Sequence, residues 1–180
     1  LSREARSITL ECDPRLHALY ERSFPHIRLV RRGTPEPLAA ESFNLVIGVC
    51  SLGRFYRRGD EDFPQHGGYL KPAPQLALAW RQRLAALGEG LKVGIAWRGG
   101  TPATGGTRRS IALERWAPIL DVLGARFVSL QYGDVTGDAT RWGDKIAFWP
   151  ECHETFDETA ALIGALDLVI SVQQTAVHLT

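Results

Sequence analysis

Between Lys92 and Val172, short runs rich in β-branched and aliphatic residues alternate with helical patterns, and that alternation leaves few folds open to the chain. The spacing predicts strands at 92–97, 126–131, 146–149 and 168–172, and helices at 113–123 and 157–166. Strands joined through helices pair in parallel by right-handed crossovers, since only that hand packs the helix back onto a right-twisted sheet. Helices then cover both faces. The expected fold class is α/β, a Rossmann-like three-layer α/β/α arrangement with a mostly parallel sheet. Thr155 with Glu158 three residues later gives a capping-box signature for the last helix.

The first half follows a less regular β-α-β-β order. Residues 7–10 are β-like. Asp13-Pro14 opens a helical pattern that places Leu16, Leu19 and Tyr20 on one face, and Pro25 stops it. Apolar runs at 27–30 and 43–49 read as strands, separated by the loop Gly33-Thr34-Pro35-Glu36-Pro37. From 54 to 74 the pattern dissolves into charge, Gly and Pro, as at a domain boundary or crossing loop. A helix at 75–87 follows, with Leu76, Ala79, Trp80, Arg83 and Leu84 near one face, and Gly88 and Gly90 end it.

A chain of 180 residues with 44% hydrophobic content can build a real core. Its formal net charge of +1 provides no field to gather nucleic acid or an anionic membrane, so any anion site has to be local. Cys12, Cys50 and Cys152 are scattered without metal-ligand or redox spacing, which fits a reducing, cytoplasmic compartment and no metal or cofactor. No apolar run approaches the roughly 20 residues of a membrane span. Methionine is absent even from position 1, and Val177 to Thr180 read as an interrupted helix, so a piece of a longer protein is expected.

In an open parallel sheet, ligands bind beyond the carboxyl ends of the strands. The loops to inspect are therefore 98–109, 132–144, 150–156 and 173–175. The first carries four glycines and three arginines, with Ser110 placed to cap the next helix. Glycines let backbone N–H groups approach a phosphate, a helix start adds partial positive charge, and Arg108 or Arg109 can pair bidentately with phosphate oxygens. The same residues also suit a solvated loop, since neither GxGxxG nor the Walker pattern is present. Gln173, Gln174 and Thr175 can hydrogen-bond a diphosphate or a ribose but supply no strong base. A lone histidine in the position of His178 is more often packed than functional. Asp134, Asp138, Asp144, Glu151, His153 and Glu154 populate the middle loops, His153 and Glu154 just beyond a strand end. Cys50-Ser51-Leu52-Gly53 follows an expected strand and suits either the facing side of a cleft or a close-packing turn.

Several segments together resemble a known family. They are Lys92-Val93-Gly94-Ile95-Ala96-Trp97-Arg98-Gly99, Arg108-Arg109-Ser110-Ile111 ahead of Trp116, Phe127-Val128-Ser129-Leu130-Gln131, Asp157-Glu158-Thr159-Ala160-Ala161-Leu162-Ile163, and Asp167-Leu168-Val169-Ile170-Ser171-Val172 ahead of Val177-His178-Leu179. This set resembles the glycosyltransferase-like region that follows tetratricopeptide repeats in many bacterial proteins. That region is similar to the ADP-heptose:lipopolysaccharide heptosyltransferases and, more distantly, to O-linked N-acetylglucosamine transferase. The resemblance covers 91–180; Gly67-Gly68-Tyr69-Leu70 with Trp80, and the segment 14–30, fit more loosely.

The resemblance implies a fold of GT-B type, two Rossmann-like domains facing across a cleft. Residues 1–74 would be a remnant of the N-terminal, acceptor-side domain, 75–90 a connecting helix, and 91–180 the nucleotide-sugar-binding domain, cut short at its end. Arg109, seven residues before Trp116, takes the place of a basic residue set against the donor phosphates. Gln173 and His178 match the ends of a D-T-G-x-x-H motif, in which Gln173 replaces the Asp and Gln174-Thr175 the Thr-Gly. An amide does not balance charge as a carboxylate does, so heptosyl transfer does not follow, whereas nucleotide-diphosphate binding does. The implied substrate-binding residues are Arg108, Arg109, Ser110, Gln131, Gln173, Gln174, Thr175 and His178. The implied reaction is metal-independent, with a nucleotide sugar as donor, a glycan or protein as acceptor, and a catalytic base the sequence does not name. Tetratricopeptide repeats would lie elsewhere in the parent chain, and a non-catalytic binding or scaffolding module is the alternative.

Overall fold

The central strand of the molecule is built for burial on both sides. Its Val93, Ile95 and Ala96 are at most 3% exposed, and at Gly94 a side chain would come within 2.6 Å of the Leu130 and Leu166 methyls. The computed structural model describes residues 4–33, 43–65, 67–100, 103 and 105–179. Within it, β3 (Leu91–Ala96), β4 (Ala125–Ser129), β5 (Ile146–Ala147) and β6 (Leu168–Ser171) form a wholly parallel sheet in the order β5-β4-β3-β6. Val93 is in register with Phe127 on one side and Leu168 on the other.

Side-chain alternation along the strands sorts the core into two layers. Ala96, Val128 and Leu130 pack under α3 (Pro74–Ala85) and α6 (Phe156–Ile163), against Ala77, Trp80, Leu84 and residues 161–163. Val93, Ile95, Trp97 and Phe127 face the opposite way, onto Leu113, Trp116 and Leu120. The three-layer α/β/α arrangement expected from the alternation is therefore present. Trp80 Nε1 donates to Glu158 at 2.6 Å, and the Arg83 guanidinium lies 5.3 Å from the Trp80 ring and 4.5 Å from that of Trp149, fixing α3 to this layer.

A smaller parallel pair, β1 (Thr9–Cys12) and β2 (Arg28–Arg31), is connected through α1 (His17–Ser23). It meets α6 through an Arg22–Asp157 ion pair and through Arg15, which lies 5.4 Å from the Phe156 ring centre. No helix among the described residues is long and apolar enough to cross a membrane.

Four expectations change. Residues 43–48 form no strand, because Leu45 (73% exposed) and Val46 (68%) have no neighbouring strand among the described residues to complete a ladder; Val49–Ser51 is a 3-10 turn and Gly53–Tyr56 a short helix, α2. The helix expected at 113–123 is a 3-10 turn at Leu113–Trp116 followed by the short α4 (Ala117–Leu120). Gly124, at φ +79°, then turns the chain into β4. The loop 132–144 contains a helix, α5 (Thr136–Trp142), whose start is held by the Asp134 carboxylate accepting from Thr136 N at 2.9 Å. The capping box is half formed: Thr155 Oγ1 accepts from Glu158 N at 3.1 Å, but the Glu158 carboxylate is taken by Trp80. Thr34 to Pro37 of the first-half loop, and Thr180, lie outside the described residues.

Candidate functional site

β3 lies between β4 and β6 and is parallel to both, so the loops that leave β3 and β6 lie side by side at the carboxyl edge of the sheet. The carboxyl edge is where ligands of open α/β sheets bind. Both candidate loops meet there. A Cβ on Gly99 would lie 2.4 Å from the Gln173 carbonyl oxygen, so only glycine lets the two backbones approach this closely. Arg109 Nη2 donates to that carbonyl at 3.2 Å.

Arg109 sits at the end of a 3-10 turn, Gly106–Arg109, which the left-handed Gly105 (φ +74°) sets up. Its Nη2 is engaged, but its Nε is buried with no hydrogen-bond partner among the described residues, and so is Gln174 Nε2. Two unmet donors flank Gln173, and neither loop, 98–111 or 171–179, contains a carboxylate. Buried donors left in this state cost about 1–3 kcal/mol each. Arg108 is exposed and forms no ion pair among the described residues.

Ser110 does not cap the following helical turn, whose N-cap is Ala112. Its hydroxyl instead donates to Gly106 O at 2.6 Å and accepts from Gly99 N at 3.2 Å, tying the two ends of the glycine loop together. Gln131 is 4% exposed and its carboxamide is fully used. Oε1 accepts from Trp97 N (3.0 Å) and Arg98 N (2.7 Å), and Nε2 donates to Arg98 O (3.3 Å) and Tyr132 O (3.0 Å). It therefore shapes the turns that leave β3 and β4 rather than facing a ligand. Thr175 and Gln173 have exposed side chains at the rim of this edge. His178, exposed at the end of the 3-10 turn Thr175–His178, makes no hydrogen bond to the other candidates among the described residues. Thr101, Pro102 and Thr104 of the glycine loop lie outside the described residues, as does the Thr107 side chain.

Sequence reasoning left Arg98 unassigned. Its guanidinium pairs with Asp138 at 2.6 Å and donates to Asp134 O at 2.7 Å, strapping α5 to the end of β3. The neighbouring mouth, between β4 and β5, holds His153 edge-on to Tyr132, with ring centroids 5.7 Å apart. Burial holds the His153 imidazole below its ordinary pKa, and a hydrogen bond with the Gln131 backbone acts the other way. The folded protein therefore binds this proton less readily than the unfolded chain. Above the unfolded value the residue contributes no penalty, and stability falls as pH drops below it until the folded pKa is reached. Urea unfolding from pH 7.5 to pH 5 should show this loss, and His153→Gln should flatten it; an unchanged slope in the variant would assign the loss elsewhere.

Cys50 is exposed in the Val49–Ser51 turn, away from any strand end. Glu151 pairs with Arg83. No group of three or more His, Cys, Asp or Glu residues that could hold a metal ion occurs among the described residues. A groove of about 410 Å³ runs beside β6, between residues 67–72 and the end of α6. Its lining is mostly apolar, with Asp167 and Tyr69 as its polar side chains, and includes none of the candidate residues, so volume and chemistry point to different places.

Among known proteins, the chain is similar to Protein FlbA of Caulobacter vibrioides, with 28% identity over 189 residues. The match covers 96% of this chain and 32% of FlbA, so the chain spans about a third of the length of that relative. No family model and no solved structure matches.

Proposed function

We propose that this chain is the nucleotide-diphosphate-binding part of a metal-independent glycosyltransferase-like protein of GT-B type, with a nucleotide sugar as donor. The observation that carries this reading is Arg109: a guanidinium without a carboxylate partner among the described residues, its Nε, like the Gln174 amide nitrogen, buried and unmet there, where the β3 and β6 loops meet. Arg109, with exposed Arg108 beside it, would take the diphosphate, while Thr175 and Gln173 at the rim would reach the ribose or the second phosphate. Gly99 and Ser110 shape the loop around that charge, and Gln131 holds the turns beneath it. Fixed donors aimed at a departing diphosphate are a form of electrostatic catalysis. The acceptor would be a glycan or a protein, tetratricopeptide repeats would accompany this region in the parent protein, and its place of action would be the cytoplasm.

A second reading, a binding or scaffolding module without turnover, draws on the absence of any carboxylate in either loop and on the amide at Gln173. Titration with ADP, GDP and UDP, followed by thermal or urea unfolding, tests the shared part. A nucleotide at 100 times its dissociation constant should stabilise the fold by about 2.7 kcal/mol, and Arg109→Ala should abolish that gain. Stabilisation that survives Arg109→Ala would place the nucleotide elsewhere. This 180-residue chain is expected to bind without turnover on its own, so the discriminating assay uses the parent protein: hydrolysis of a nucleotide sugar there favours the transferase, and binding without hydrolysis there favours the module.

A further inference from the structure

Residues 43–65 contain no buried side chain, although Leu45, Val46, Val49, Phe55 and Phe63 within them are large and apolar. Each is 53–73% exposed. Single exposed apolar residues are ordinary on a protein surface, but five within one short stretch are the mark of a surface meant to be covered. Ordering a backbone costs about 1–2 kcal/mol per residue, and this segment sets against it only half-buried side chains, Phe43, Ile47, Leu52 and Tyr56.

Its charges indicate what covers it. Arg54, Arg57 and Arg58 precede Gly59, and Asp60, Glu61 and Asp62 follow it. None of the six forms an ion pair among the described residues. Arg57 instead lies 5.5 Å from the Phe63 ring centre and donates to Tyr56 O at 2.6 Å, while Asp62 accepts from the backbone N of Arg58 and Gly59. A nucleic acid or an anionic membrane would be repelled by the acidic half, and a basic partner by the arginines. A two-fold axis, by contrast, sets the arginines of one copy against the acids of the other, so the surface complements itself. Its 23 residues fall within the roughly 20–30 per side of a standard interface.

We propose that residues 43–65 form an isologous interface with a second copy of this chain, its apolar residues packed at the centre and its two charge clusters paired across the axis. Sedimentation equilibrium of the 180-residue chain at micromolar concentrations and low salt tests it. The wild type should be a dimer that loosens with salt. Arg54→Glu/Arg57→Glu/Arg58→Glu and Asp60→Lys/Glu61→Lys should each weaken self-association by about tenfold or more, because like charges then face each other. Asp62 is left in place because it holds the local backbone. An equimolar mixture of the two variants should recover a heterodimer. A monomeric wild type, a dimer indifferent to both variants, or a mixture that fails to associate would each overturn the proposal. Hydrogen exchange on the wild type reads the same interface without substitution: amides in 43–65 should gain protection as concentration rises, and constant protection would overturn it.

Discussion

Gln131→Glu is expected to destabilise the fold by about 3 kcal/mol near neutral pH, more than its single-atom difference suggests. In the native protein the carboxamide oxygen accepts two N–H groups and its nitrogen serves two carbonyls, so only a group with both a donor and an acceptor end satisfies the site. A carboxylate keeps the first pair and sets a charged oxygen against the carbonyls of Arg98 and Tyr132. The introduced group would favour its protonated form in the folded state. Its penalty should therefore grow as pH rises above the unfolded carboxyl value and shrink on acidification. Gln131→Leu, which strands both N–H groups, should cost about 2–4 kcal/mol without that pH dependence. Urea unfolding at pH 5 and pH 8 separates the two. A Gln131→Glu protein as stable as wild type would show that the turns after β3 and β4 do not depend on this side chain.

Trp97→Ala should cost about 3–5 kcal/mol, the range for deleting a buried aromatic ring. Trp97 is 1% exposed, its ring packs edge-on to Phe148 at 6.3 Å, and its carbonyl accepts from Ile111 N, where the glycine loop rejoins the domain. The cavity would open directly beneath the arginine-bearing loop. Trp97→Phe should be mild, below about 1.5 kcal/mol, since it keeps most of the ring and removes an indole N–H that is buried without a partner. Thermal unfolding of the pair checks the contrast. Equal losses would mean that the indole nitrogen has a role that the apolar packing does not explain.

The second half of the fold was legible because strand and helix periods alternate there and both faces of the sheet are buried, which leaves long apolar runs at 92–97 and 126–131. Sequence also placed the glycine loop and Gln173 at one edge, since the loops that follow parallel strands all leave from their carboxyl ends. It did not reveal α5, whose start depends on Asp134 folding back onto Thr136 N amid polar residues that read equally well as loop. Residues 43–49 looked like a strand for the opposite reason. Apolar composition is local, whereas a strand exists only if another strand is present to pair with it. The role of Gln131 was hidden as well: a polar residue at a strand end looks the same whether it turns toward solvent or inward to four backbone groups. Ser110 was placed on the right loop but with the wrong partner, because its hydroxyl reaches back to Gly106 rather than forward.

The three cysteines differ in ways that matter for handling the protein. Cys12 and Cys152 are buried, and burial pushes the Cys152 thiol up to about 12, so that it stays protonated and inert at mildly alkaline pH. Cys50 alone is exposed, within the same uncovered stretch of chain as Leu45 and Phe55. At dilutions where the chain is monomeric a maleimide dye should therefore attach once per native chain, giving a fluorescent reporter on that stretch without any engineered residue. Denaturation should raise the uptake to three dyes, as counted by mass spectrometry.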